Sequence, residues 1–86
     1  NNFIFFSYSL GLSPNCRVQQ EEIFGPVVGI TTFKTEQEAI EIANGVKFGL
    51  AASIWTENAK RSIRVAQQIE AGTVWVNCWM VRDLRM

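Results

Sequence analysis

The sequence predicts an α/β chain of the order strand, helix, strand, helix, strand, a βαβαβ unit whose parallel sheet keeps one face uncovered. Three observations predict it. Residues 27–33, 50–55 and 73–78 are apolar runs of strand length, the first rich in β-branched side chains. The two stretches between them carry helix-start signals followed by apolar residues at helical spacing. Each crossover is also long enough to bring the chain back parallel to its previous strand. Right-handed crossovers in one direction place both helices on the same face of the sheet. Trp55, Trp75, Trp79 and the phenylalanines near the amino terminus exceed what two short helices can bury, so the other face has no cover within these residues.

Taken in order, residues 1–10 are aromatic and serine-rich with no helical period, and form either a strand or a segment foreign to the fold. Residues 11–17 hold Gly, Ser, Pro and Asn, the residues of a turn or loop. The run Val-Val-Gly-Ile-Thr-Thr-Phe at 27–33 is expected to be a buried strand. Thr35-Glu36-Gln37-Glu38 matches a capping box, in which the threonine oxygen takes a free amide of the first turn while Glu38 reaches back. Ala39, Ile40 and Ala43 then follow at helical spacing, and Asn44-Gly45 supply a stop. After the second strand, Asn58 or Thr56 caps a helix whose apolar stripe is Ala59, Ile63, Ala66 and Ile69. Lys60, Arg61 and Arg64 form its solvated side, and Gly72 is expected to end it before the third strand. There is no internal repeat, low-complexity tract or linker.

Composition narrows the function classes. With 86 residues the chain makes one small domain at most, and 48% hydrophobic content gives it material to fold. Eight basic residues balance eight acidic ones, so nucleic acid and anionic membrane are excluded as expected partners. The absence of histidine removes Ser-His-Asp and Cys-His nucleophile pairs and every imidazole zinc site. Cys16 and Cys78 fit no metal-binding spacing. They read as two unpaired, buried thiols of a reducing compartment, a lone disulfide being the alternative. The apolar run from Phe3 to Phe6 is too short for a membrane span and lacks the flanks of a signal peptide. A start on Asn1 and a stop at Met86 lead us to expect truncation at both ends, with processing of a longer precursor as the alternative and the cytoplasm as default compartment.

No glycine-rich phosphate loop is present: Gly25, Gly45, Gly49 and Gly72 are isolated. The sharper signal is Gln20-Glu21-Glu22-Ile23-Phe24-Gly25-Pro26-Val27, a polar loop tip with two carboxylates, a nearby aromatic ring and a Gly-Pro turn into a strand. A carboxylate at a strand mouth can accept hydrogen bonds from ribose hydroxyls, and a phenylalanine beside it can pack on a flat heteroaromatic ring. The competing reading is a turn with solvated acids and a core phenylalanine.

This octapeptide resembles a signature of the aldehyde dehydrogenase superfamily. The similarity continues through Phe48-Gly49-Leu50-Ala51-Ala52-Ser53-Ile54-Trp55-Thr56 and Ala71-Gly72-Thr73-Val74-Trp75-Val76-Asn77. It divides the chain into an atypical segment, 1–10, and part of a catalytic domain, 11–86. The resemblance implies that Glu22 holds the nicotinamide ribose and that Phe24 touches the nicotinamide side. It implies NAD, or NADP, as cofactor of a full-length, homo-oligomeric parent acting on a small-molecule aldehyde, with no tight cofactor binding by the short chain. The family's reaction uses a nucleophilic cysteine, a water-activating glutamate and an oxyanion-binding asparagine. All three belong to segments preceding the Glu-Glu-Ile-Phe-Gly-Pro motif, so no catalytic residue is assigned here and neither Cys16 nor Cys78 is the nucleophile.

The last stretch, Asn77-Cys78-Trp79-Met80-Val81-Arg82-Asp83-Leu84-Arg85, is similar to the branch of the family that oxidises 2-aminomuconic and 2-hydroxymuconic semialdehydes. Arg82 is therefore expected to clamp a substrate carboxylate through two parallel hydrogen bonds. Its alternative is a surface arginine paired with Asp83 or another acid, and Arg85 is expected to be structural. Two functions follow: part of an aldehyde-oxidising enzyme that is inactive alone, or a non-catalytic α/β module that docks on full-length subunits through its uncovered face.

Overall fold

The computed structural model describes residues 7–10, 12–83 and 85. The phenylalanines at 3, 5 and 6 therefore lie outside the described residues. The elements are β1 (Ser7–Leu10), α1 (Arg17–Gln20), β2 (Val27–Ile30), α2 (Glu36–Asn44), β3 (Ala51–Ile54), α3 (Ala59–Ala66) and β4 (Thr73–Val76). The chain forms two compact units, 1–45 and 46–86.

In the first unit β1 and β2 pair in parallel, Ser7 opposite Val27 through Leu10 opposite Ile30. The α/β class and the parallel pairing agree with the sequence, but the strands divide into two two-stranded sheets, β1 with β2 and β3 with β4. The strand at 27–33 is shorter than expected, ending at Ile30 opposite the last residue of β1. It is also exposed throughout, with Val28 at 53%. A buried strand's composition is present without the cover that would bury it.

Helix α2 begins where its cap dictates. The Glu38 amide donates to Thr35 Oγ1 at 3.1 Å, while the Glu38 carboxylate accepts from the Lys34 amide at 3.0 Å. The reciprocal arm thus reaches one residue further back than in the ideal capping box. Glu36 and Glu38 in the first turn also complement the positive end of the helix dipole. Ile40 is buried, and Gly45 closes the helix through its amide to the Ile42 carbonyl.

The second unit is a strand–helix–strand arrangement in which β3 and β4 are parallel and α3 packs on both. Asn58 is the cap: its Oδ1 accepts from the Arg61 amide at 3.0 Å, and Thr56 Oγ1 in turn accepts from the Asn58 amide. The face of α3 differs from the expected stripe. Ser62 is buried, Val65 and Ala66 are half-buried, and Ala59 and Ile63 are exposed. Burial of a serine is tolerated because its hydroxyl donates to the Ala59 carbonyl at 2.6 Å, so it takes its hydrogen-bond partner inward with it.

The helix ends at Ala66 rather than at Gly72. Gly72 instead serves the sheet. Its amide donates to the Gly49 carbonyl at 2.8 Å, and a Cβ there would lie 3.2 Å from the Leu50 carbonyl. Gly49 is tighter still, since its Cβ would meet the Glu70 carbonyl at 2.6 Å. These two glycines let the entries to β3 and β4 approach closely enough to start pairing. Strand β4 stops before Asn77, which is left-handed with φ of 54° and cannot extend a strand.

The apolar surface left uncovered is large. Phe48, Leu50, Trp55, Ile63 and Trp79 are all exposed, Leu50 at 90%. Cys16 and Cys78 are free thiols, half-buried rather than buried as expected. Among the described residues no helix is long and apolar enough to cross a membrane, and no group of His, Cys, Asp or Glu is placed to hold a metal ion.

Candidate functional site

The structure places the sequence-derived candidates at two places, one in each unit. Glu22 and Phe24 share the loop between α1 and β2. Two successive short hydrogen bonds shape it, from the Gly25 amide to the Ile23 carbonyl at 2.9 Å and from the Val27 amide to the Gly25 carbonyl at 2.8 Å. Nothing lies within 4 Å of a Cβ added at Gly25, so the space beside this glycine is open.

The two adjacent glutamates differ. Arg17 grips Glu21 from one helical turn earlier, with Nε and Nη2 donating to the two carboxylate oxygens at 3.0 and 3.1 Å. Glu22 receives no hydrogen bond from another described residue and is exposed. Phe24 is 93% exposed. That overturns the reading of Phe24 as a core side chain and leaves a bare aromatic face two residues from an open carboxylate.

Arg82 stands in the second unit, on the loop that follows β4. It lines a groove of about 860 Å³ together with Leu50, Thr73, Trp75, Trp79 and Met80. The expected competitor for Arg82 is Asp83. Asp83 lines the same groove but is held by Arg85, which binds it side-on, Nε to Oδ1 at 3.1 Å and Nη2 to Oδ2 at 2.9 Å, while the Arg85 amide adds a third bond to Oδ1. Those hydrogen bonds from Arg85, side chain first and backbone second, hold the Asp83 carboxyl below its ordinary range and raise the Arg85 guanidinium. Arg82 receives no acid from the described residues and is exposed at the groove.

Sequence reasoning missed the side chains that build this loop. Asn77 clasps the Thr56 backbone from both sides, Oδ1 accepting from the Thr56 amide at 2.9 Å and Nδ2 donating to the Thr56 carbonyl at 3.0 Å. The Asn77 amide itself donates to the Ile54 carbonyl at 2.7 Å, and the side chain extends the β3–β4 pairing to Thr56. Ser53 Oγ donates to the Cys78 carbonyl at 2.7 Å, and Trp75 Nε1 donates to the Val81 carbonyl at 2.7 Å. Trp79 meets Trp75 edge-on, with ring centroids 5.1 Å apart. The only available signal was a polar or amphipathic residue within an otherwise apolar strand, which does not by itself reveal a partner downstream.

With these positions established, comparison with known proteins is decisive. The model of the aldehyde dehydrogenase family matches residues 9–86. The chain belongs to the aldehyde dehydrogenase family. Its relatives include the 2-hydroxymuconic semialdehyde dehydrogenase of Pseudomonas putida, 59% identical over 75 residues that cover 87% of this chain and 15% of that protein. The 2-aminomuconic semialdehyde dehydrogenase of Danio rerio is 47% identical over 76 residues, 88% of this chain and 16% of that protein. Among solved structures, a mutant of the P. syringae AldA indole-3-acetaldehyde dehydrogenase in complex with NAD+ and IAA superposes with a TM-score of 0.84 at 45% identity, covering 88% of this chain and 15% of that one. The chain thus spans about 15% of the length of the curated aldehyde dehydrogenases it matches. Within the stretch matched to the aldehyde dehydrogenase family, Gly49 makes the close approach to the Glu70 carbonyl and Asn77 makes the Thr56 clasp.

Proposed function

We propose that these residues supply the nicotinamide-ribose contact and the acid-recognition arginine of an NAD(P)-dependent aldehyde dehydrogenase that oxidises a muconic semialdehyde to a carboxylate. In this reading Glu22 accepts hydrogen bonds from the ribose hydroxyls and Phe24 packs against the nicotinamide side. An exposed carboxylate and an exposed ring two residues apart on one turn fit that role. When bound, the nicotinamide supplies the two-electron acceptor for aldehyde oxidation. Arg82 orients the substrate by its remote acid group through a bidentate, charge-assisted contact.

The observation that carries the reading is the pairing of Asp83 with Arg85, which leaves the Arg82 guanidinium open beside an aromatic groove. The names of the relatives support the substrate class. Cys16 and Cys78 belong to no nucleophilic pair in this reading, and the 86 residues on their own oxidise no aldehyde. The exposed apolar residues Phe48, Leu50, Trp55 and Ile63 support packing against further polypeptide in the complete enzyme.

The test uses a full-length enzyme carrying this segment, made by grafting it over the matching residues of the P. putida relative. Arg82→Ala and Arg82→Lys are compared with the parent on an acid-bearing and an uncharged aldehyde. Selectivity for the acid is expected to fall by about 10- to 100-fold in Arg82→Ala, the value of a charge-assisted hydrogen-bonded contact. Arg82→Lys restores only part of it. Unaltered selectivity in Arg82→Ala would remove Arg82 from substrate recognition.

A further inference from the structure

We infer that Trp75 is a positioning residue for acid selectivity, acting on Arg82 through the backbone of Val81. This rests on the reading of Arg82 given above and goes beyond it by naming what sets the arginine's place. Residues 77–83 form an irregular loop containing two left-handed residues, Asn77 at φ 54° and Met80 at φ 62°. Such a loop has no ladder of its own to hold it. Three side chains fasten it, Asn77 of the loop itself and Ser53 and Trp75 from the strands, beside the Asn77 amide's bond to the Ile54 carbonyl at 2.7 Å. Asn77 clasps Thr56 and Ser53 holds the Cys78 carbonyl, both near the start of the loop. Trp75 reaches furthest, donating to the Val81 carbonyl at 2.7 Å, and that carbonyl belongs to the peptide unit whose nitrogen is Arg82's.

The indole is itself steadied by Trp79, whose ring meets it at 64°. Fixing the Val81 carbonyl fixes the orientation of the following peptide plane, and with it the direction in which Arg82 leaves the backbone. A carboxylate clamp needs that direction, because two parallel hydrogen bonds tolerate little misplacement. A general packing role for Trp75 would affect all aldehydes alike. The tether to Val81 affects the acid-bearing ones selectively.

The experiment is a double-mutant cycle of Trp75→Phe and Arg82→Ala in the full-length grafted enzyme, read as the ratio of kcat/KM for an acid-bearing aldehyde to that for an uncharged aldehyde of similar length. Phe retains an aromatic ring and lacks the N–H donor. Trp75→Phe is expected to lower the ratio by about five- to tenfold through KM for the acid substrate, the loss of one hydrogen bond's worth of ordering. In the Arg82→Ala background the same change leaves the ratio where it is. If Arg82→Ala lowers the ratio and Trp75→Phe does not, the positioning role is refuted while Arg82 keeps its assignment. If Arg82→Ala leaves the ratio intact, the acid-recognition reading falls and the positioning role falls with it. Should Trp75→Phe fail to fold, replacing Trp75 with benzothienylalanine, which keeps the bicyclic shape and lacks the donor, gives the same readout.

Discussion

Replacing Asn77 tests how the second unit is fastened. The side chain makes two hydrogen bonds to the backbone of Thr56, at 2.9 and 3.0 Å, from a residue held at φ 54°. Each bond contributes about 0.5–1.5 kcal/mol net, and because Asn77 is exposed the two together fall near the lower end, about 1–2 kcal/mol. Alanine adds a conformational cost of about 1 kcal/mol in the left-handed region, where asparagine is tolerated and glycine is free of strain. Asn77→Ala therefore costs about 2–3 kcal/mol, and Asn77→Gly about 1 kcal/mol less. Amide hydrogen exchange at Thr56 is the direct assay. Local opening is expected to speed by about 30- to 150-fold in Asn77→Ala, at roughly tenfold per 1.4 kcal/mol. The Glu38 amide, held by Thr35 in the other unit, serves as control. Unchanged Thr56 exchange in Asn77→Ala, or a glycine more disruptive than alanine, would refute the clasp as the fastening.

Other perturbations follow from the same geometry. Gly49→Ala would place a Cβ 2.6 Å from the Glu70 carbonyl, a backbone atom, and is expected to destabilise the second unit by about 1–3 kcal/mol in denaturant titration. Thr35→Ala removes the oxygen that accepts the Glu38 amide and is expected to cost about 1 kcal/mol, seen as fraying of the first turn of α2 by NMR. The Asp83 carboxyl, depressed by Arg85, contributes stability to its loop at pH values above the unfolded carboxylate's ordinary range, and that contribution is lost as pH falls through the lower folded value. An NMR titration of Asp83 should show a low midpoint that returns to the ordinary range in Arg85→Ala; the same midpoint in both would contradict the pairing.

The sequence disclosed what is local. The Thr35–Glu38 cap, the alternative Asn58 cap and the three strand centres were readable because each depends on a few neighbouring residues. The pairing of β2 with β1 was not, since residues 1–10 read equally as a strand or as a segment foreign to the fold, and the pairing of Ser7 with Val27 depends on residues far apart in sequence. The face of α3 was misjudged for a related reason. A serine reads as surface, yet Ser62 carries its own acceptor in Ala59 and goes inside, while Ile63 is left out. The family motifs named Glu22, Phe24 and Arg82 as candidates, but the sequence could not decide whether Asp83 would bind Arg82 or Arg85. That choice depends on how the backbone of residues 83–85 turns, which lets Arg85 meet Asp83 with its amide and its guanidinium together. The loop pins from Ser53, Trp75 and Asn77 were invisible because their acceptors are backbone carbonyls and amides, which every residue has.

The most direct measurement is a crystal structure of the full-length enzyme carrying this segment, with NAD+ and the dicarboxylate product of a muconic semialdehyde bound. The Arg82 guanidinium is expected in a two-bond contact with the remote carboxylate at about 2.7–2.9 Å, and the Glu22 carboxylate on the nicotinamide ribose. A product acid bound by some other cation, with Arg82 turned out to solvent, would contradict the proposed recognition.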